Sequence, residues 1–548
     1  MKLTYDESKK IFLFECGYPD REIPKEAGFF WDKGIWKTKD PHVAIRVSRF
    51  ANQELKNKFK QFRRYLDKKI AESSKVSSDF QVPSPSNLNF FPFQKAGIEY
   101  IWENRDVLVA DPTGSGKTPT SIGVINKMED FKHILIICPN SLKLNWKREI
   151  KRWMTHENKS IVVCNTKNFR VADIMIINFE AFASSTNKKS HKYKKPKSGK
   201  YNATELILNQ LKKIDIDALI IDESHRIKNY SANTTRNIFK IRKNCKRKIL
   251  LSATPVLNKP IDLWTSIKFL GMEKKFGGTK KNFGNRYCDP KFTPWGITYD
   301  GATNLQELQT KLRKEFMLRR KKEHILTELP PKIRQYVPID IDDEYMDLIK
   351  EFDVDQSLIT LTEKNEDSAI SKSVFAGIKP ADLESIAQIR KIAGEAKIPA
   401  VCEYVENILQ SEEKVVIFGH HTHVLEAYAR KLKKYGAVLL TGKVDQDQRQ
   451  KNVDAFQNDK NCRVIICNFK VGGVGLTLTA SNNVVFAEFD FVPAMMTQSE
   501  DRCHRIGTKY LVVCHYMVAE NTLDAYIADI LISKQEVIDK TVEHEYIL

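Results

Sequence analysis

The sequence of 548 residues lacks long apolar runs and an export signal. No apolar stretch reaches the ~18 residues that a membrane-spanning helix needs. The N-terminus, Met1 to Asp6, does not show the basic and then apolar pattern of a signal peptide. These absences argue against a membrane protein and a secreted one, so we expect an intracellular protein without a membrane partner.

Paired cysteines are absent as well. None of the ten cysteines forms a C-x-x-C pair, and several lie within apolar runs that resemble strands. Cys138, Cys164, Cys467 and Cys514 are examples. Zinc sites and disulfide frameworks need closely spaced or regularly paired cysteines. We therefore predict buried free thiols.

Acidic residues are scarce relative to basic ones. The chain has 89 Lys and Arg against 69 Asp and Glu, a formal net charge of +20. Such an excess favours a polyanionic partner, nucleic acid above all. Charge alone is also compatible with a second interpretation, in which the protein is simply soluble and rich in lysine.

Residues 1–75 have the pattern of a small separate module. Gly28–Thr38 predicts a tight hairpin that turns at Asp32-Lys33-Gly34. We predict that Trp31 and Trp36 belong to the core of the module, although these aromatic rings could instead stack on bases. A helix is expected to follow, with apolar residues at spacings of three or four: Leu55, Phe59, Phe62, Leu66 and Ile70. Its other face is basic, which favours contact with nucleic-acid phosphates over a simply solvated surface.

The remaining chain divides by pattern into five segments. Residues 76–89 are rich in serine and proline and predict a linker. In 90–270 and again in 396–520, short apolar strands alternate with helices, which predicts parallel sheets flanked by helices. Residues 271–395 lose this alternation and predict a helical insertion and hinge, while 521–548 predict a C-terminal helix that braces the second lobe. The fold class is therefore α/β, with two lobes, helical insertions and a small N-terminal α+β module.

Three segments carry narrower predictions. Lys188–Lys200 is lysine-rich and predicts an exposed loop. Helices are expected at Asn304–Glu315 and Tyr345–Ile359 within the insertion. Leu318 to Lys322 stands out as a basic run, Leu-Arg-Arg-Lys-Lys.

The stretch Ala110–Thr118, which we call the phosphate loop, follows an apolar strand and precedes a helix. It reads Ala-Asp-Pro-Thr-Gly-Ser-Gly-Lys-Thr. Glycines at 114 and 116 allow the backbone to wrap an anion at the N-terminus of the helix. Lys117 would reach terminal phosphates and Thr118 would hold Mg²⁺. Asp111 stands where the general motif has its first glycine.

Two further clusters supply the remaining parts of an ATP-hydrolysing site. Asp222 and Glu223 end an apolar strand, where Asp222 suits a magnesium shell and Glu223 suits the attacking water. Arg502 and Arg505 are three residues apart, on one face of a helical turn, and follow a glycine-rich segment. Guanidinium groups suit phosphate oxygens and the charge of the transition state.

With these motifs in order, the chain resembles a Swi/Snf-type ATPase of helicase superfamily 2 over about residues 88–540. The matches run in the family's motif order: Gln94 for the adenine-reading glutamine, Asp111–Thr118 for motif I, Pro139–Leu142 with Asn145-Trp146 for motif Ia, Asp222–His225 for motif II, Ser252–Pro255 for motif III, Phe418–His421 for motif IV, Gly472–Thr479 for motif V and Gln498–Gly507 for motif VI.

Within that family the sequence is most similar to the annealing-helicase, HARP-containing subgroup. The similarity rests on several short stretches: Asp222–Asn229, Met317–Arg320, Leu329-Pro330, Phe418–His421, Val485–Glu488 and Glu500–Gly507. The 1–75 module resembles the HARP module through Trp31, Trp36 and Pro41, and by this likeness would be an accessory DNA-binding module.

The resemblance implies two RecA-like lobes that bind ATP and Mg²⁺ between them. The catalytic residues would be Lys117, Asp222, Glu223, Arg502 and Arg505, with Mg²⁺ on Thr118 and Asp222. The implied ATP-binding residues are Gln94, Asp111, Gly114, Ser115, Gly116, Lys117, Thr118, Gly475 and Gln498. The implied DNA-binding residues are Ser141, Lys143, Asn178, His421, Lys470 and Thr477.

Four departures from the family pattern are visible. Motif III reads Ser-Ala-Thr where the family has Thr-Gly-Thr, and Thr508 replaces the glutamine that closes motif VI. Asp490–Pro493 alters the aromatic segment before the family's Asn-Pro. Pro112-Thr113 stands where motif I has Glu-Met. We expect hydrolysis to survive the first two.

The function that the resemblance implies is an ATP-dependent translocase on double-stranded DNA. It would act as a monomer, without sequence specificity, and remodel structured DNA by annealing strands, reversing forks or migrating branches. One alternative is a translocase that displaces protein from DNA or drives a defence complex. Another is a non-catalytic DNA-binding scaffold. The compartment would be the cytoplasm of a bacterial or phage-infected cell, or the nucleus of a eukaryote.

Overall fold

The structure is a computed structural model that describes residues 1–185, 202–256, 259–293, 296–342, 344–345, 380–472, 476–490, 492–519, 522 and 524. The chain forms two compact units. The first consists of Met1–Ser74 and Gln306–Glu315, and the second of Lys75–Leu305 and Phe316–Leu548.

The first unit is built on an antiparallel sheet with the strand order β1-β2-β4-β3. Its strands are β1 Lys2–Asp6, β2 Ile11–Glu15, β3 Phe30–Asp32 and β4 Ile35–Thr38. Its helices are α1 Glu22–Ala27, α2 Pro41–Arg46 and α3 Gln53–Ser74. The predicted hairpin is confirmed, with Lys33 and Gly34 at positive φ between β3 and β4.

The core of the first unit corrects one sequence prediction. Phe14 and Phe29 are buried between the sheet and the helices, and Trp36 packs partly buried against them. Trp31, predicted to be a core residue, is 57% exposed. It lies in β3, an edge strand whose three residues are all exposed.

A helix from much later in the chain belongs to this unit. Residues Gln306–Glu315 of α11 (Leu305–Glu315) cluster with Met1–Ser74. Arg46 donates to Glu307 at 2.8 Å, Lys311 pairs with Asp40, and the Lys314 ammonium lies 4.8 Å from the ring centroid of Phe62. The helix predicted at 304–315 is confirmed, but its place in the N-terminal unit was not predicted.

The second unit contains a seven-stranded sheet in the order β13-β5-β10-β9-β6-β8-β7, in which every pair is parallel. The strands are β5 Asp106–Val109, β6 Ile134–Cys138, β7 Ile161–Val163, β8 Ile174–Asn178, β9 Ile216–Asp222, β10 Cys245–Leu251 and β13 Met317–Leu318. The helices of this part are α4 Pro92–Asn104, α5 Lys117–Asn126, α6 Lys143–Trp153, α7 Ala203–Leu211, α8 Asn233–Phe239, α9 Trp264–Phe269 and α10 Lys280–Tyr287.

A second parallel sheet in the same unit has the order β14-β19-β18-β15-β17-β16. Its strands are β14 Lys332–Ile339, β15 Val415–Gly419, β16 Val438–Leu440, β17 Val464–Asn468, β18 Asn483–Phe486 and β19 Val512–Ala519. Its helices are α12 Lys322–Ile325, α13 Pro380–Ala396, α14 Ile398–Ser411, α15 Thr422–Lys431, α16 Gln446–Asn458, α17 Phe469–Gly472 and α18 Pro493–Glu500.

Both sheets have the buried, continuous apolar strands that parallel sheets require, because helices cover both faces. All five residues of β6 and of β15 are buried. The predicted α/β class with two sheet lobes is therefore confirmed. The ten cysteines are free, and nine of them are buried, as predicted.

Segment 271–395, predicted as a helical insertion, also contributes a strand to each sheet. β13 pairs with β5 in the first sheet, and β14 pairs with β19 in the second. A short hairpin of β11 (Lys291–Thr293) and β12 (Gly296–Thr298) precedes both of these strands in sequence.

The predicted lysine-rich loop, the helix predicted at 345–359 and the C-terminal helix fall outside the described residues, apart from a few at their edges. Within the part of the chain that is described, no helix combines the length and apolar character that crossing a membrane takes.

Candidate active site

The phosphate loop lies between β5 and α5 and is wrapped closely by its neighbours. Gly114 and Gly116 both have a φ of +77°, a conformation that glycine adopts without strain. A Cβ on Gly116 would lie 2.4 Å from Nε2 of Gln94. A Cβ on Gly114 would lie 2.7 Å from Cβ of Arg505. The two glycines therefore let a bare backbone cradle form where larger residues would clash.

Lys117 is the first residue of α5, and its ammonium lies against the loop. Nζ donates to the carbonyls of Asp111 and Pro112, each at 2.9 Å. Burial lowers the pKa of Lys117 to about 8, against the opposing effect of Glu223, Asp111 and Asp222. An incoming anion would replace the carbonyls as the partner of this ammonium.

Asp222 and Glu223 stand at the carboxyl end of β9, two strands from β5 in the same sheet. Trp146 of α6 donates its indole N–H to Oδ2 of Asp222 at 2.9 Å, and the backbone N–H of Glu223 donates to Oδ1 at 2.9 Å. Burial, and then the neighbouring Glu223, raises the pKa of Asp222 to about 6. Burial also raises the pKa of Glu223.

His225 connects the end of β9 with the end of β10. Its Nδ1 is 3.1 Å from the hydroxyl of Ser252, the first residue of the predicted motif III. Burial lowers the pKa of His225 to about 3, so the imidazole is neutral near pH 7. The predicted motifs II and III are thus hydrogen-bonded to one another.

α18 carries Gln498 at this site, and the turn that follows the helix carries Arg502 and Arg505. Arg502 and Gln498 are close enough to Glu223 to counter the effect of burial on its pKa. Burial lowers the pKa of Arg505 to about 10, and its guanidinium donates to the carbonyl of Leu476 at 3.0 Å. Residues associated with both sheets therefore surround Glu223, and their roles in hydrolysis stay predictions.

A buried ion pair beside the phosphate loop was missed by the sequence reasoning. Arg320 donates its backbone N–H and its Nε to Oδ1 of Asp111, at 3.1 and 3.2 Å. Both side chains are 2% exposed. Arg319 donates to the carbonyls of Ala110 and Ala253. The carboxylate of Asp111 is thus bound by the protein itself.

A second missed cluster surrounds Glu500 at the end of α18. Lys332 donates to it at 2.6 Å, Arg334 at 2.6 and 2.9 Å, and the Tyr516 hydroxyl at 2.7 Å. Burial alone would raise the pKa of Glu500, but Lys332 and Arg334 hold it at about 2. Lys332 and Arg334 lie outside the basic run Leu318 to Lys322, so the sequence carried no local signal for this cluster.

The predicted DNA-binding residues are in differing surroundings. Ser141 and Thr477 are exposed. Asn178 donates to Glu180 at 2.7 Å, and His421 pairs with the buried Glu488. Lys143 is 8% exposed and donates to the carbonyl of Cys164 at 3.2 Å, so a phosphate contact would require its side chain to move. Lys470 lies in α17, and Gly475 falls outside the described residues.

The side chains present fit a magnesium nucleotide. Hard cations such as Mg²⁺ take oxygen ligands, and the Asp222 carboxylate and the Thr118 hydroxyl offer them at the phosphate loop. A Cβ at position 114 or 116 would clash with its neighbours, and backbone N–H groups at the N-terminus of a helix suit phosphate oxygens. Gln94, in contact with Gly116, is placed at the loop but its base contact stays a prediction.

Two family models match most of the chain. Residues 57–392 match the SNF2-related domain, and residues 396–507 match the helicase conserved C-terminal domain. The first match alone covers more than half of the sequence.

Curated relatives have similar sequences over most of this chain. One is the SWI/SNF-related matrix-associated actin-dependent regulator of chromatin subfamily A-like protein 1 of Xenopus tropicalis, 30% identical over 84% of this chain and 45% of the relative. Another is the DNA annealing helicase and endonuclease ZRANB3 of Bos taurus, 30% identical over 84% of this chain and 41% of the relative. The chain thus spans less than half the length of these relatives.

A solved structure that resembles the chain is the Sulfolobus solfataricus SWI2/SNF2 ATPase core in complex with dsDNA. It is 21% identical, has a TM-score of 0.38, and the match covers 85% of this chain and 100% of that one.

Proposed function

Because this chain belongs to the SNF2-related family, we propose that it is a DNA-dependent ATPase that moves along double-stranded DNA and remodels branched or partly unpaired DNA. The observation that carries the proposal is the meeting of Lys117, Asp222 and Glu223 of the first sheet with Arg502 and Gln498 of the second. An ATPase needs a phosphate cradle, a magnesium ligand, a carboxylate for the attacking water and a cation for the transition state.

Each residue has one role in this proposal. The phosphate loop and Lys117 bind the phosphates of ATP, while Asp222 and Thr118 hold Mg²⁺, which neutralises phosphate charge when bound. Glu223, with a raised pKa, accepts a proton from the attacking water or orients it. Arg502 and Arg505 stabilise negative charge on the transferred group from the second sheet.

DNA would contact the exposed polar residues at strand ends of both sheets, including Ser141 and Thr477. Asn178, His421, Lys470 and, after movement, Lys143 are the further candidates. Such groups contact phosphate and sugar, which positions the duplex without reading its sequence. Opening and closing of the two lobes, 90–270 and 396–520, would move the protein along the duplex.

The first unit would be an accessory DNA-binding module. Exposed Trp31 offers a ring for stacking on an unpaired base, and α3 carries exposed basic residues at Lys60, Arg63 and Arg64. Lys58 and Lys69 on the same helix are instead paired with Glu7 and Glu72. An exposed aromatic ring and a basic helix in one unit suit the junction between duplex and single-stranded DNA.

ATP turnover with and without duplex DNA tests the proposal. We expect duplex DNA to raise hydrolysis, and Lys117→Ala to abolish hydrolysis while DNA binding, measured by fluorescence anisotropy, is retained. A chain that binds DNA but shows no DNA-stimulated hydrolysis would be a non-catalytic scaffold.

Comparison of DNA structures tests the remodelling part. We expect forked DNA to stimulate hydrolysis more than linear duplex, and Trp31→Ser with Arg63→Glu and Arg64→Glu to remove that difference. Point substitutions are preferable to deletion because Gln306–Glu315 also belongs to the first unit. Charge reversal at Lys443, an exposed residue of the second unit paired with Glu426, is the control. Equal stimulation by all DNA forms, with removal of a bound protein roadblock, would favour the protein-displacing alternative.

A further inference from the structure

The carboxylate of Asp501, in the predicted motif VI, accepts hydrogen bonds from three side chains. Its Oδ1 accepts from Nζ of Lys322 at 2.9 Å and from Nζ of Lys332 at 3.1 Å. Its Oδ2 accepts from the hydroxyl of Thr113. Asp501 is 5% exposed and Thr113 is 8% exposed, so water does not compete freely for these bonds.

The three donors come from different parts of the second unit. Thr113 lies in the phosphate loop, directly after a strand of the first sheet. Lys332 is the first residue of β14 in the second sheet. Lys322 begins α12, on the stretch of chain that leads from the first sheet to the second. Asp501 therefore joins the phosphate loop to the second sheet through a single side chain.

The same stretch of chain fixes the surroundings of Asp501. Lys322 also donates to the carbonyl of His504 at 2.6 Å, and the His504 ring donates through Nε2 to the carbonyl of Pro330 at 2.7 Å. Burial alone would raise the pKa of Asp501, but Lys332 and Lys322 outweigh it and hold the pKa well below its usual value. The side chain stays ionised and acts only as an acceptor.

Asp501 is adjacent to Arg502 and four residues before Arg505. The Cα of Arg505 would be 3.2 Å from a Cβ on Gly114, so this turn packs directly on the phosphate loop. The Thr113 hydroxyl can reach Asp501 only while that packing is in place. The hydrogen bond therefore forms only in the arrangement in which both arginines face the phosphate loop, and it stabilises that arrangement.

Thr113 is one of the departures noted in the sequence, since motif I of the resembled family has methionine there. A thioether has no hydrogen to donate to a carboxylate, whereas a hydroxyl does. Hydrogen bonds to an ionised acceptor are stronger than those between neutral groups, and more so when buried. The connection is therefore a property of this sequence.

We propose that Thr113 and Asp501, with Lys322 and Lys332 as fixed supports, form a latch that positions Arg502 and Arg505 on the phosphate loop for hydrolysis. The proposal rests on the proposed ATPase function. Thr113 and Asp501 are positioning residues, since they act through the arginines. The latch stabilises the closed arrangement used for hydrolysis more than the open one that first admits ATP.

The test compares Thr113→Val with Thr113→Ser in the full chain at saturating duplex DNA. Valine keeps the shape of threonine and removes the hydroxyl, while serine keeps the hydroxyl. We expect Thr113→Val to lower kcat about tenfold with the KM for ATP within about twofold of the original, and Thr113→Ser to stay near the original kcat. Equal melting temperatures would show that the fold is intact.

A double-mutant cycle with Asp501→Asn identifies the partner. Thr113→Val should add little to the loss that Asp501→Asn already causes. A kcat for Thr113→Val within twofold of the original, or fully additive losses, would overturn the latch. If Asp501→Asn does not fold, comparison of Thr113→Val with Thr113→Ser still tests whether the hydroxyl of Thr113 is needed. Absence of DNA-stimulated hydrolysis in the unaltered chain would instead refute the proposed function.

Discussion

At the scale of single residues, the site combines two buried groups whose protonation limits its activity. Asp222 can bind a cation only as a carboxylate, and burial raises its pKa to about 6. Lys117 attracts phosphate only when charged, and burial lowers its pKa to about 8. Desolvation is the largest cause of both pKa shifts, because the site is assembled from strand ends inside the second unit. The free protein therefore has a narrow range in which both groups are charged.

This predicts a bell-shaped dependence of kcat/KM for ATP on pH, since that parameter reports groups of the free enzyme. It should rise as pH increases through about 6 and fall as pH increases through about 8. Steady-state hydrolysis at fixed DNA measures both limbs.

Trp146→Phe identifies the origin of the acidic limb. The indole hydrogen bond stabilises the ionised form of Asp222, so its loss should move that limb to higher pH. The alkaline limb should not move. An acidic limb that stays in place in the variant would show that Asp222 does not set it.

At the scale of elements, the turn after α18 packs against the phosphate loop at Gly114. A Cβ there would lie 2.7 Å from Cβ of Arg505, in backbone with a φ of +77°. Real Cβ atoms do not approach a carbon so closely, so the turn that carries both arginines would have to move. The contact leaves no room for any residue but glycine.

We predict that Gly114→Ala lowers kcat by at least tenfold, because a displacement of about 1 Å in a catalytic group can cost about 10²-fold. Two glycines of the same unit provide matched controls. Gly271 has a φ of +78° and no atom near its added Cβ, so Gly271→Ala introduces backbone strain alone. Gly442 has neither a positive φ nor an atom near its added Cβ, so Gly442→Ala should have no effect of either kind. Loss of activity in Gly271→Ala equal to that in Gly114→Ala would attribute the effect to strain rather than to contact with Arg505.

The elements also show what the sequence could and could not predict. β5 and β9 were predictable because a fully buried parallel strand is a continuous apolar run that ends at a polar motif. β14 was not, because it is a partly exposed edge strand that reads Lys-Ile-Arg-Gln-Tyr-Val-Pro-Ile. β13 has only two residues, Met317–Leu318, which is too short for any periodicity.

The site residues also differ in whether the sequence could predict them. Lys117, Asp222 and Arg502 could be proposed from the sequence because each belongs to a local motif whose spacing has a chemical reason. The partner of Asp111 could not, because Arg320 is 209 residues away and only the fold brings the two together. The hydroxyl of Thr113 appeared in the sequence as a departure from a motif, without an indication that Asp501 accepts from it.

At the scale of the whole molecule, the net charge of +20 governs how the protein would bind DNA. Neutralising phosphates releases counterions, so affinity falls with salt in proportion to the number of contacts. Since the proposed contacts would be with phosphate and sugar, charge rather than base identity should determine binding.

We therefore predict that duplex affinity decreases steeply with salt and is the same for unrelated sequences of equal length. A protein with about six to ten phosphate contacts loses about 10³–10⁵ in affinity between about 50 and 200 mM salt. Fluorescence anisotropy with two duplexes of different sequence measures both properties. A shallow salt dependence, or a clear preference for one sequence, would contradict phosphate-dominated binding.

The helix α11 has a consequence for how this chain can be rearranged. Residues Gln306–Glu315 belong to the same compact unit as Met1–Ser74, although more than two hundred residues of the second unit lie between them in sequence. Arg46 with Glu307 and Asp40 with Lys311 connect the two pieces. A chimera that exchanges only the first 74 residues would bring a foreign surface to an unchanged helix. Such a unit cannot be gained or lost by one fusion at a terminus, so in evolution and in engineering the two pieces have to change together.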